Sequence, residues 1–542
     1  MSEKIQLLDC TLRDGAYIVD ANFGTPAIKG ILKRMQDANV DIIECGWLKN
    51  SEHREGTSYY HVPSDVEQYL PAKNSHSVYV AMIDWDRYDL DSLPPYDGRS
   101  IDAIRVVFPQ AKFKEGTALC PLIQEKGYKV YLQAANTLGY SDLELIRLAE
   151  EVNKVHPVAL SVVDTFGAMS GEDLAHIVSM LDRHLDKSIK LGFHSHNNQQ
   201  LSFALSMQFI ELLQGLGREV VVDSSLCGMG RGAGNATTEL MVQYLNRKCQ
   251  GNYDMNTIMD AIDMYMGYFL ENYTWGYSTA YFISGIYGAH VNNIAYLLRS
   301  HRTSYRDMRN IIESLSQNER RSYDYGLLEQ KYIDYQNKII DDEKALAVLE
   351  EEFLGRNVLL VFPGRSIIDS KPEIDRYIAE NDPVVIGVNA INARYRYDLV
   401  FFSNTVRYDY ANEIHPEMLE DSRIIVTSNV KTTAGENELV VNFNLLVKRG
   451  WEHFDNSGIM CLRLLNRVHV QNVALAGFDG FEDAYSESYA DISLPHISPG
   501  KKWSELNEEI RDMFCDFRKA TSTSMDIRFL TKSKYEDWRG IR

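Results

Sequence analysis

The stretch that decides the fold is "YKVYLQAANTLGYSDLELIRLAEEVNKVHPVALSVVDTF", residues 128–166. An apolar, β-rich run stands at each end. Between them lies an amphipathic segment with helical spacing, "SDLELIRLAEEVNKV". Apolar strands that alternate with amphipathic helices indicate a parallel sheet covered by helices. This stretch therefore predicts a strand–helix–strand unit of an α/β protein.

The same alternation extends over residues 1–250. The runs that we interpret as strands are "IQLLD", "VDIIECGW", "HSVYVAMID", "IDAIRVVF", "YKVYLQAAN", "VALSVVDTF", "KLGFHSHN" and "EVVVDSSL". A TIM barrel has eight βα units in about 250 residues. The even spacing of eight runs favours a (β/α)8 TIM barrel, with a doubly wound open sheet as the alternative.

Two further regions follow the predicted barrel. In residues 251–355 the strand pattern disappears, and segments such as "DDEKALAVLEEEFLG" indicate a helical region, which we expect to pack on the barrel over its active end. In residues 356–542 strands return with "NVLLVFPGRS" and "PVVIGVNA". This part predicts a second, Rossmann-like α/β domain of unknown role.

Composition narrows the class of protein. The chain has 542 residues, 45% hydrophobic and 24% charged, with a formal net charge of −20. This charge argues against a nucleic-acid partner. No apolar run reaches the roughly 20 residues of a membrane helix, and the N-terminus lacks the pattern of an export signal. The seven cysteines show no paired spacing, which fits the reducing cytoplasm.

The strand ends hold the polar residues that could carry chemistry, because the active site of such a barrel lies at the carboxyl ends of its strands. His194 and His196 in "GFHSHNN" are two apart on a strand and point to the same face. With Asp14 from "LLDCTLRDG" they would form a set suited to Mn²⁺, Mg²⁺, Fe²⁺ or Zn²⁺. The alternatives are hydrogen-bonded core histidines and a structural Arg13–Asp14 salt bridge.

The eighth strand leads into a glycine-rich loop, "GMGRGAGNATTE". Glycines allow the backbone to approach a ligand closely. The loop lacks the context of a dinucleotide-binding motif. We expect it to serve as a flexible lid or to present Asn235 as an oxygen donor, with a simple connection as the alternative.

Taken together, "LLDCTLRDG", "DTFG", "GFHSHNN" and "GMGRGAGN" resemble the DRE-TIM metallolyases, a family that includes 4-hydroxy-2-oxovalerate aldolases, 3-hydroxy-3-methylglutaryl-CoA lyases and 2-isopropylmalate synthases. The resemblance covers roughly residues 4–245. It implies that Asp14, His194 and His196 hold a divalent metal, Mn²⁺ or Mg²⁺, with Asn235 close by. It also implies that Arg13 stabilises an enolate oxygen.

Two segments bear on the branch of this family. "TWGYSTAY" resembles "LGYAGVY" of the oxovalerate aldolases, which makes Tyr277 a catalytic candidate. Those aldolases carry a proton-transferring His where this chain has Tyr17, also a catalytic candidate. A phenol with a pKa near ~10 is a poor base at neutral pH, so the base stays open. The resemblance implies an aldolase that acts through an enolate of pyruvate or a related 2-oxo acid and handles an aldehyde.

Further residues could contact the substrate, and a second reaction fits the same metal site. Thr165, Asn235 and Glu44 are candidates for substrate binding, and Glu44 could instead bond to Arg13. One alternative is an acyl-CoA-dependent 2-oxo acid synthase on the same metal site, although Ala16-Tyr17 replaces the Glu-Gln common there. A homo-oligomer and an aldehyde dehydrogenase partner are further options.

The second α/β domain faintly resembles bacterial sialyltransferase-type domains. This resemblance suggests a bifunctional protein whose C-terminal domain is a nucleotide-sugar transferase in polysaccharide biosynthesis; a purely structural domain is the other possibility. The polar and glycine positions at its predicted strand ends are Gly364, Asn389, Asn404 and Asp479. Open α/β sheets bind ligands at such strand ends.

Overall fold

The computed structural model describes residues 5–300, 303–432, 435, 438–452, 456–495 and 502–537. Contacts divide the chain into two compact units, one of residues 1–291 with 320–322 and one of residues 292–319 with 323–542. The boundary falls inside the segment for which the sequence predicts a helical region. Among the described residues, no helix is long and apolar enough to cross a membrane.

The first unit is a closed parallel barrel. Its sheet has the strand order β1-β9-β8-β7-β6-β5-β4-β2-β3, and an additional β1–β2 pairing closes it. The strands are β1 Ile5–Asp9, β2 Ile42–Leu48, β3 Tyr59–Tyr60, β4 Val78–Asp84, β5 Ala103–Pro109, β6 Lys129–Ala135, β7 Ala159–Asp164, β8 Lys190–Ser195 and β9 Val220–Ser224. The predicted TIM barrel is confirmed, since all eight predicted runs coincide with its strands; β3 is a short addition beside β2.

Helices cover the barrel between successive strands. They are α1 Thr11–Asp14, α2 Ala16–Val19, α3 Thr25–Asp37, α4 Pro63–Glu67, α5 Phe113–Glu125, α6 Asp142–Val155, α7 Gly171–His184, α8 Ser202–Leu213, α9 Thr238–Lys248, α10 Met255–Ala261, α11 Gly267–Asn272 and α12 Thr279–Ile286. Capping boxes start α6 and α7: in α6, Ser141 and Glu144 each accept a backbone N–H of the other. Short 3₁₀ turns occur at Leu90–Ser92, Gln110–Lys112, Thr137–Gly139 and Leu226–Gly228, and a π-helical turn occurs at Ile262–Met266.

The barrel interior consists of an apolar layer and a polar layer above it. The apolar layer is formed by Leu8, Cys10, Ile42, Val80, Ala103, Tyr131, Ala159 and Val221. Because side chains on a strand alternate in direction, residues two positions further along point to the same interior. Those residues include Glu44, Arg105 and Asp223, and all three are buried. Strand alternation therefore places charged groups directly below the carboxyl ends of the strands.

The second unit contains a separate parallel sheet with the order β14-β13-β12-β11-β10-β15-β16. Its strands are β10 Val358–Val361, β11 Val384–Val388, β12 Leu399–Phe402, β13 Arg423–Thr427, β14 Glu438–Val441, β15 Asn472–Ala476 and β16 Asp526–Phe529. Apolar clusters cover both of its faces. The predicted second α/β fold is confirmed.

Helices of the second unit precede the sheet and flank its strands. Those that precede it are α13 Val291–Ser300, α14 Tyr305–Glu313, α15 Gln317–Arg321, α16 Tyr325–Gln336 and α17 Glu343–Phe353. Those between and after strands are α18 Ser366–Asp369, α19 Lys371–Asn381, α20 Thr405–Ile414, α21 Pro416–Glu420, α22 Phe443–Leu446, α23 Ser457–Arg467, α24 Tyr485–Ser488 and α25 Trp503–Thr521. Two helices of the former group, α13 and α15, include residues that the contacts assign to the first unit.

Candidate metal centre

Three side chains that the sequence predicts as metal ligands meet at the carboxyl end of the barrel. Asp14 ends α1, the short helix after β1, while His194 lies in β8 and His196 directly follows β8. All three are buried, and one potential ligand atom from each lies within 4.8 Å of the others. Two imidazoles and a carboxylate form a donor set that suits a divalent cation with open positions for a substrate.

The ring nitrogens of both histidines have oxygen neighbours. Nδ1 of His196 lies 3.1 Å from the carbonyl oxygen of Arg231, and Nδ1 of His194 lies 3.1 Å from Oδ2 of Asp223. A proton on Nδ1 of His196, donated to this carbonyl oxygen, leaves the Nε2 lone pair for a metal. Nδ1 of His194 has no hydrogen bond among the described residues, so its contact with Asp223 is electrostatic. Burial lowers the pKa of His196 to about 4, although Asp14 opposes the shift. The ring is therefore neutral at neutral pH, as metal binding requires.

Asp14 is held in its charged form by several neighbours. Nη1 of Arg13 donates to its Oδ1 at 2.5 Å, and Nδ2 of Asn235 donates to its Oδ2 at 2.7 Å. Burial alone would raise the pKa of Asp14, but Arg13, His196 and His194 outweigh burial and hold this pKa well below its usual range. The other amide atom of Asn235, Oδ1, is buried and has no hydrogen-bond partner among the described residues. A cation bound to that oxygen would satisfy it.

Gly230 in the glycine-rich loop passes directly over this pair. A Cβ added at Gly230 would lie 2.3 Å from Nδ2 of Asn235 and 2.5 Å from Oδ2 of Asp14. Both distances are too short for atoms in contact. A glycine at this position therefore lets the loop close over the candidate metal site without displacing its ligands.

A chain of buried charges links the two sides of the site. Nε of Arg13 donates to Oε2 of Glu44 at 2.7 Å, and Nη1 of Arg105 donates to the same oxygen at 2.9 Å. Nη2 of Arg105 then donates to Oδ2 of Asp223 at 2.5 Å, beside Nδ1 of His194. The chain thus runs from one candidate ligand, Asp14, through alternating charges to another, and it fixes both.

The charges of this chain do not cancel. Asp14, Glu44 and Asp223 supply three carboxylates, whereas Arg13 and Arg105 supply two guanidinium groups. With all five ionised, one negative charge remains in a buried environment, where an unbalanced charge is costly. A divalent cation between Asp14 and the histidines would compensate it. The residues present therefore fit a metal in both donor type and charge.

One nitrogen of the Arg13 guanidinium can still donate a hydrogen bond. Its Nε and Nη1 are bonded to Glu44 and Asp14, but Nη2 is buried without a hydrogen-bond partner among the described residues. Burial opposes its charge, yet Glu44 and Asp14 raise the pKa of Arg13 well above its usual value. The guanidinium is thus fixed, charged and ready to donate one more hydrogen bond.

Tyr17 lies with Arg231 and His290 near the site. The guanidinium carbon of Arg231 is 4.9 Å from the ring centre of Tyr17, and Nη2 of Arg231 is 3.1 Å from Nε2 of His290. Desolvation of its hydroxyl raises the pKa of Tyr17 to about 12, even though 45% of the residue's surface is exposed. Because of this higher pKa, even less of the Tyr17 side chain is ionised at neutral pH, so Tyr17 is a poor candidate for the base.

The other predicted site residues, Thr165, Glu44 and Tyr277, are not among the candidate metal ligands. Oγ1 of Thr165, just after β7, accepts the backbone N–H of Asn136 at 2.7 Å. Glu44 is fully buried and contacts two guanidinium groups rather than open space. Tyr277 is 62% exposed, and no hydrogen bond joins it to the candidate ligands among the described residues. The substrate contacts of Thr165 and Glu44 and the catalytic role of Tyr277 stay predictions.

Sequence reasoning missed three residues of this site. Arg105 and Asp223 are charged residues at inward positions of the apolar strands "AIRVVFP" and "VVVDS", which is the signal that could have identified them. His290 follows α12 in "YGAH", and its ring centre lies 6.1 Å from that of Phe166. Burial lowers the pKa of His290 to about 3, with Arg231 adding to the shift. No local pattern marks this residue.

Comparison with known proteins supports the assignment of the barrel. The HMGL-like family profile matches residues 108–264. A 4-hydroxy-2-oxovalerate aldolase from Geobacillus genomosp. 3 is 26% identical over 269 residues, which are 48% of this chain and 76% of that protein. An oxaloacetate decarboxylase from Mycobacterium tuberculosis is 26% identical over 262 residues, which are 47% of this chain and 74% of that protein.

A solved structure also aligns with this chain. The N-terminal domain of a proposed aldolase from Bacteroides vulgatus aligns with a TM-score of 0.48 and 23% identity, over 57% of this chain and all of that one. The family match lies within the part of the chain that forms the closed barrel. Residues 108–264 are therefore similar to the HMGL-like family.

Proposed function

We propose that the barrel is a divalent-metal-dependent aldolase that breaks the C3–C4 bond of a 4-hydroxy-2-oxo acid, one carbon away from the carbonyl, and passes through an enolate. The observation that carries this proposal is the unpartnered Nη2 of Arg13, a buried donor beside the candidate metal ligands. A fixed guanidinium of this kind is suited to a negative charge that develops on oxygen during the reaction.

The metal would be held by Asp14, His194 and His196, with Oδ1 of Asn235 available as a further ligand. Mn²⁺ or Mg²⁺ is our expectation, because the set includes a carboxylate and leaves positions open. When bound, such an ion supplies a Lewis acid that withdraws electrons from the substrate carbonyl. Burial of all three ligands limits the water that could compete for this position.

The protein's own groups account for the rest of the reaction. A base removes the proton of the hydroxyl on C4, the C3–C4 bond breaks to release an aldehyde, and its electron pair forms the enolate of pyruvate. Nη2 of Arg13 donates to the enolate oxygen, and a proton then adds to C3. His290 is our candidate for the base, because its half-buried imidazole lies beside Arg231, whose guanidinium in turn contacts the ring of Tyr17.

The relatives favour pyruvate as the common product. One is named for the cleavage of a hydroxylated 2-oxo acid and another for the decarboxylation of oxaloacetate. Both substrates can lose their group from the carbon next to a carbonyl and leave an enolate. We therefore propose that the barrel accepts small 2-oxo acids that release this enolate, with an aldehyde as the second product of the aldol cleavage.

Pyruvate release tests the proposal. The full-length protein is treated with EDTA, dialysed, and assayed with 4-hydroxy-2-oxovalerate and oxaloacetate before and after addition of Mn²⁺ or Mg²⁺. We expect little release without metal and restored release with it. Release that persists undiminished after complete metal removal, or none with any 2-oxo acid and metal, would contradict the proposal.

We also propose that the protein acts in the cytoplasm. All seven cysteines are free in the structure, and they show no disulfide, as expected for a protein kept in a reducing compartment. An aldehyde dehydrogenase that accepts the released aldehyde is a reasonable partner, because free aldehydes react with amines. Co-purification with a dehydrogenase activity, or its absence, tests this part.

A further inference from the structure

The second unit contains a cavity at the point where its sheet changes direction. Strand β10 pairs with β11 on one side and with β15 on the other. The order of the strands in the sheet therefore reverses between β10 and β15. The loops after β10 and β15 stay in contact there, since the N–H of Gly364 donates to the carbonyl oxygen of Gly477 at 3.0 Å. Phe362, Gly364, Gly477 and Asp479 of these loops line the cavity. Open parallel sheets bind their ligands in such a crevice.

A buried arginine of α20 lines this cavity. Arg407 is only 5% exposed, and its Nε and Nη1 are buried with no hydrogen-bond partner among the described residues. Its guanidinium carbon lies 5.1 Å from the ring centre of Tyr489, which orients the group. A buried guanidinium with two nitrogens that lack hydrogen-bond partners is costly, so an anion in the cavity would stabilise it.

The start of helix α23 faces the same cavity. Asn456, Ser457 and Gly458, the cap and first turn of this eleven-residue helix, line the cavity together with Arg407. The amino end of a helix carries a partial positive charge and favours negatively charged groups. Oδ1 of Asn456 already accepts the N–H groups of Gly458 and Ile459, so the helix contributes its partial charge rather than these two donors. The guanidinium and the helix charge therefore favour the same kind of ligand, an anion such as a phosphate group.

The acidic residue of the cavity does not oppose this selection strongly. Among the described lining residues, Asp479 is the one carboxylate, and both of its oxygens accept from Ser366. The backbone N–H of Ser366 donates to Oδ2 at 2.7 Å, and its hydroxyl donates to Oδ1 at 2.5 Å. Asp479 thereby holds the loop after β10 in place.

Aromatic side chains form the other wall of the cavity. They are Phe362, Phe478, Phe481, Tyr489 and Tyr535. The ring centres of Phe362 and Phe478 are 4.7 Å apart, and those of Phe478 and Tyr535 are 4.8 Å apart. The cavity volume is about 120 Å³, whereas one water needs roughly 10–15 Å³. A phosphate with a ring attached fits this combination of charge, aromatic surface and space.

We infer that this cavity binds a nucleotide, with its phosphate against Arg407 and the first turn of α23 and its ring system against the aromatic wall. The inference does not depend on the aldolase proposal, because every residue in it belongs to the second unit. It assigns this domain a ligand class.

Calorimetric titration of the full-length protein tests the inference. The probes are AMP, CMP, GMP and UMP, the four matching nucleosides, and inorganic phosphate. We expect at least one nucleotide to bind at least about tenfold more tightly than its nucleoside and than phosphate. The absence of binding by all four nucleotides would overturn the inference, as would equal affinity for a nucleotide and its nucleoside or for a nucleotide and phosphate.

Variants locate the binding site. Arg407→Gln should weaken nucleotide binding about tenfold or more, while Arg396→Gln, an exposed arginine of the same domain, should leave it unchanged. Arg407→Lys keeps the charge but loses the planar fork, so it should bind with intermediate affinity. Thermal unfolding and circular dichroism report whether each variant is folded. If Arg407→Gln does not fold, the lysine variant decides, and wild-type affinity in either folded variant would contradict the assignment.

Discussion

Arg13 uses each nitrogen of its guanidinium for a different purpose. Nε holds Glu44 and Nη1 holds Asp14, whereas Nη2 has no partner among the described residues. The first two contacts fix the plane of the group, and the plane fixes the direction of the third donor. A side chain with a single charged nitrogen cannot replace this arrangement.

Arg13→Lys should therefore reduce catalysis more than metal binding. We expect kcat for pyruvate release to fall by about 10²–10³, the usual effect of losing one preorganised donor. The Mn²⁺ dissociation constant, measured by electron paramagnetic resonance, should change only a few-fold. Arg147→Lys, at an exposed position of α6, serves as the control. Nearly unchanged kcat in Arg13→Lys would remove Arg13 from the reaction.

Asp223 is a positioning residue in this account, because it contacts His194 and Arg105 rather than the proposed substrate. Asp223→Asn should weaken Mn²⁺ binding about 10–100-fold, as is typical when the partner of a ligating histidine is changed. The KM measured at saturating Mn²⁺ should stay near the wild-type value. The exposed Asp86→Asn is the matched control. Wild-type Mn²⁺ affinity in Asp223→Asn would show that the charge chain does not orient the ligand.

Asp9 gives the folded barrel a pH dependence of its own. Burial raises its pKa to about 6, although hydrogen bonds from Thr11 and Thr238 oppose the shift. The folded state then binds a proton more tightly than the unfolded state, so this contribution to stability is present below about pH 4 and is lost as the pH rises toward 6. The loss amounts to about 3 kcal/mol.

Denaturant unfolding between pH 4 and pH 7 measures this effect. The free energy of unfolding of the wild type should fall with pH relative to that of Asp9→Asn, which cannot ionise. The exposed Asp91→Asn should follow the wild type. Parallel curves for the wild type and Asp9→Asn would show that Asp9 ionises in the folded protein as easily as in the unfolded chain.

The sequence identified part of this site and missed the rest for a physical reason. Asp14, His194, His196 and Arg13 lie in short motifs at strand ends, where charged residues have few structural explanations. The Arg105–Glu44 and Arg105–Asp223 bonds join residues more than sixty positions apart, and spacing along the chain does not encode such contacts. Only the register of the closed barrel brings them together.

At the level of elements, the strands were easier to predict than their surroundings. Barrel strands are buried on both faces, and this gives the long apolar runs that mark them. β16 was not predicted, because it is an edge strand with a half-exposed sequence, "DIRF". The start of α6 follows from its Ser141–Glu144 capping box, whereas the π-helical turn at Ile262–Met266 has no comparable sequence pattern.

The glycine-rich loop is the element whose shape matters most to the site. Gly230→Ala should weaken Mn²⁺ binding at least about tenfold, because the new Cβ would push against Asn235 and Asp14. Gly267→Ala, where a Cβ meets nothing within 4 Å, should leave Mn²⁺ binding unchanged. Mn²⁺ titration with both variants measures the difference. Equal affinities would mean that the loop can move aside without cost.

The whole molecule consists of two units, and different observations bear on the function of each. The curated relatives described above cover less than half of this chain, so they bear on the barrel alone. The second unit has its own sheet, its own apolar clusters and its own cavity. The domain limits predicted at residues 250 and 355 stay predictions. Contacts divide the chain into two units near residue 291.

The most direct test of the central claim is a crystal structure of the protein with Mn²⁺ and oxalate, a stable analogue of the pyruvate enolate. Anomalous scattering at the manganese edge locates the ion without relying on its surroundings. The account predicts one strong peak bound by Asp14, His194 and His196, with Nη2 of Arg13 within hydrogen-bond distance of an oxalate oxygen. Manganese elsewhere in the protein, or an Arg13 that turns away from bound oxalate, would contradict it.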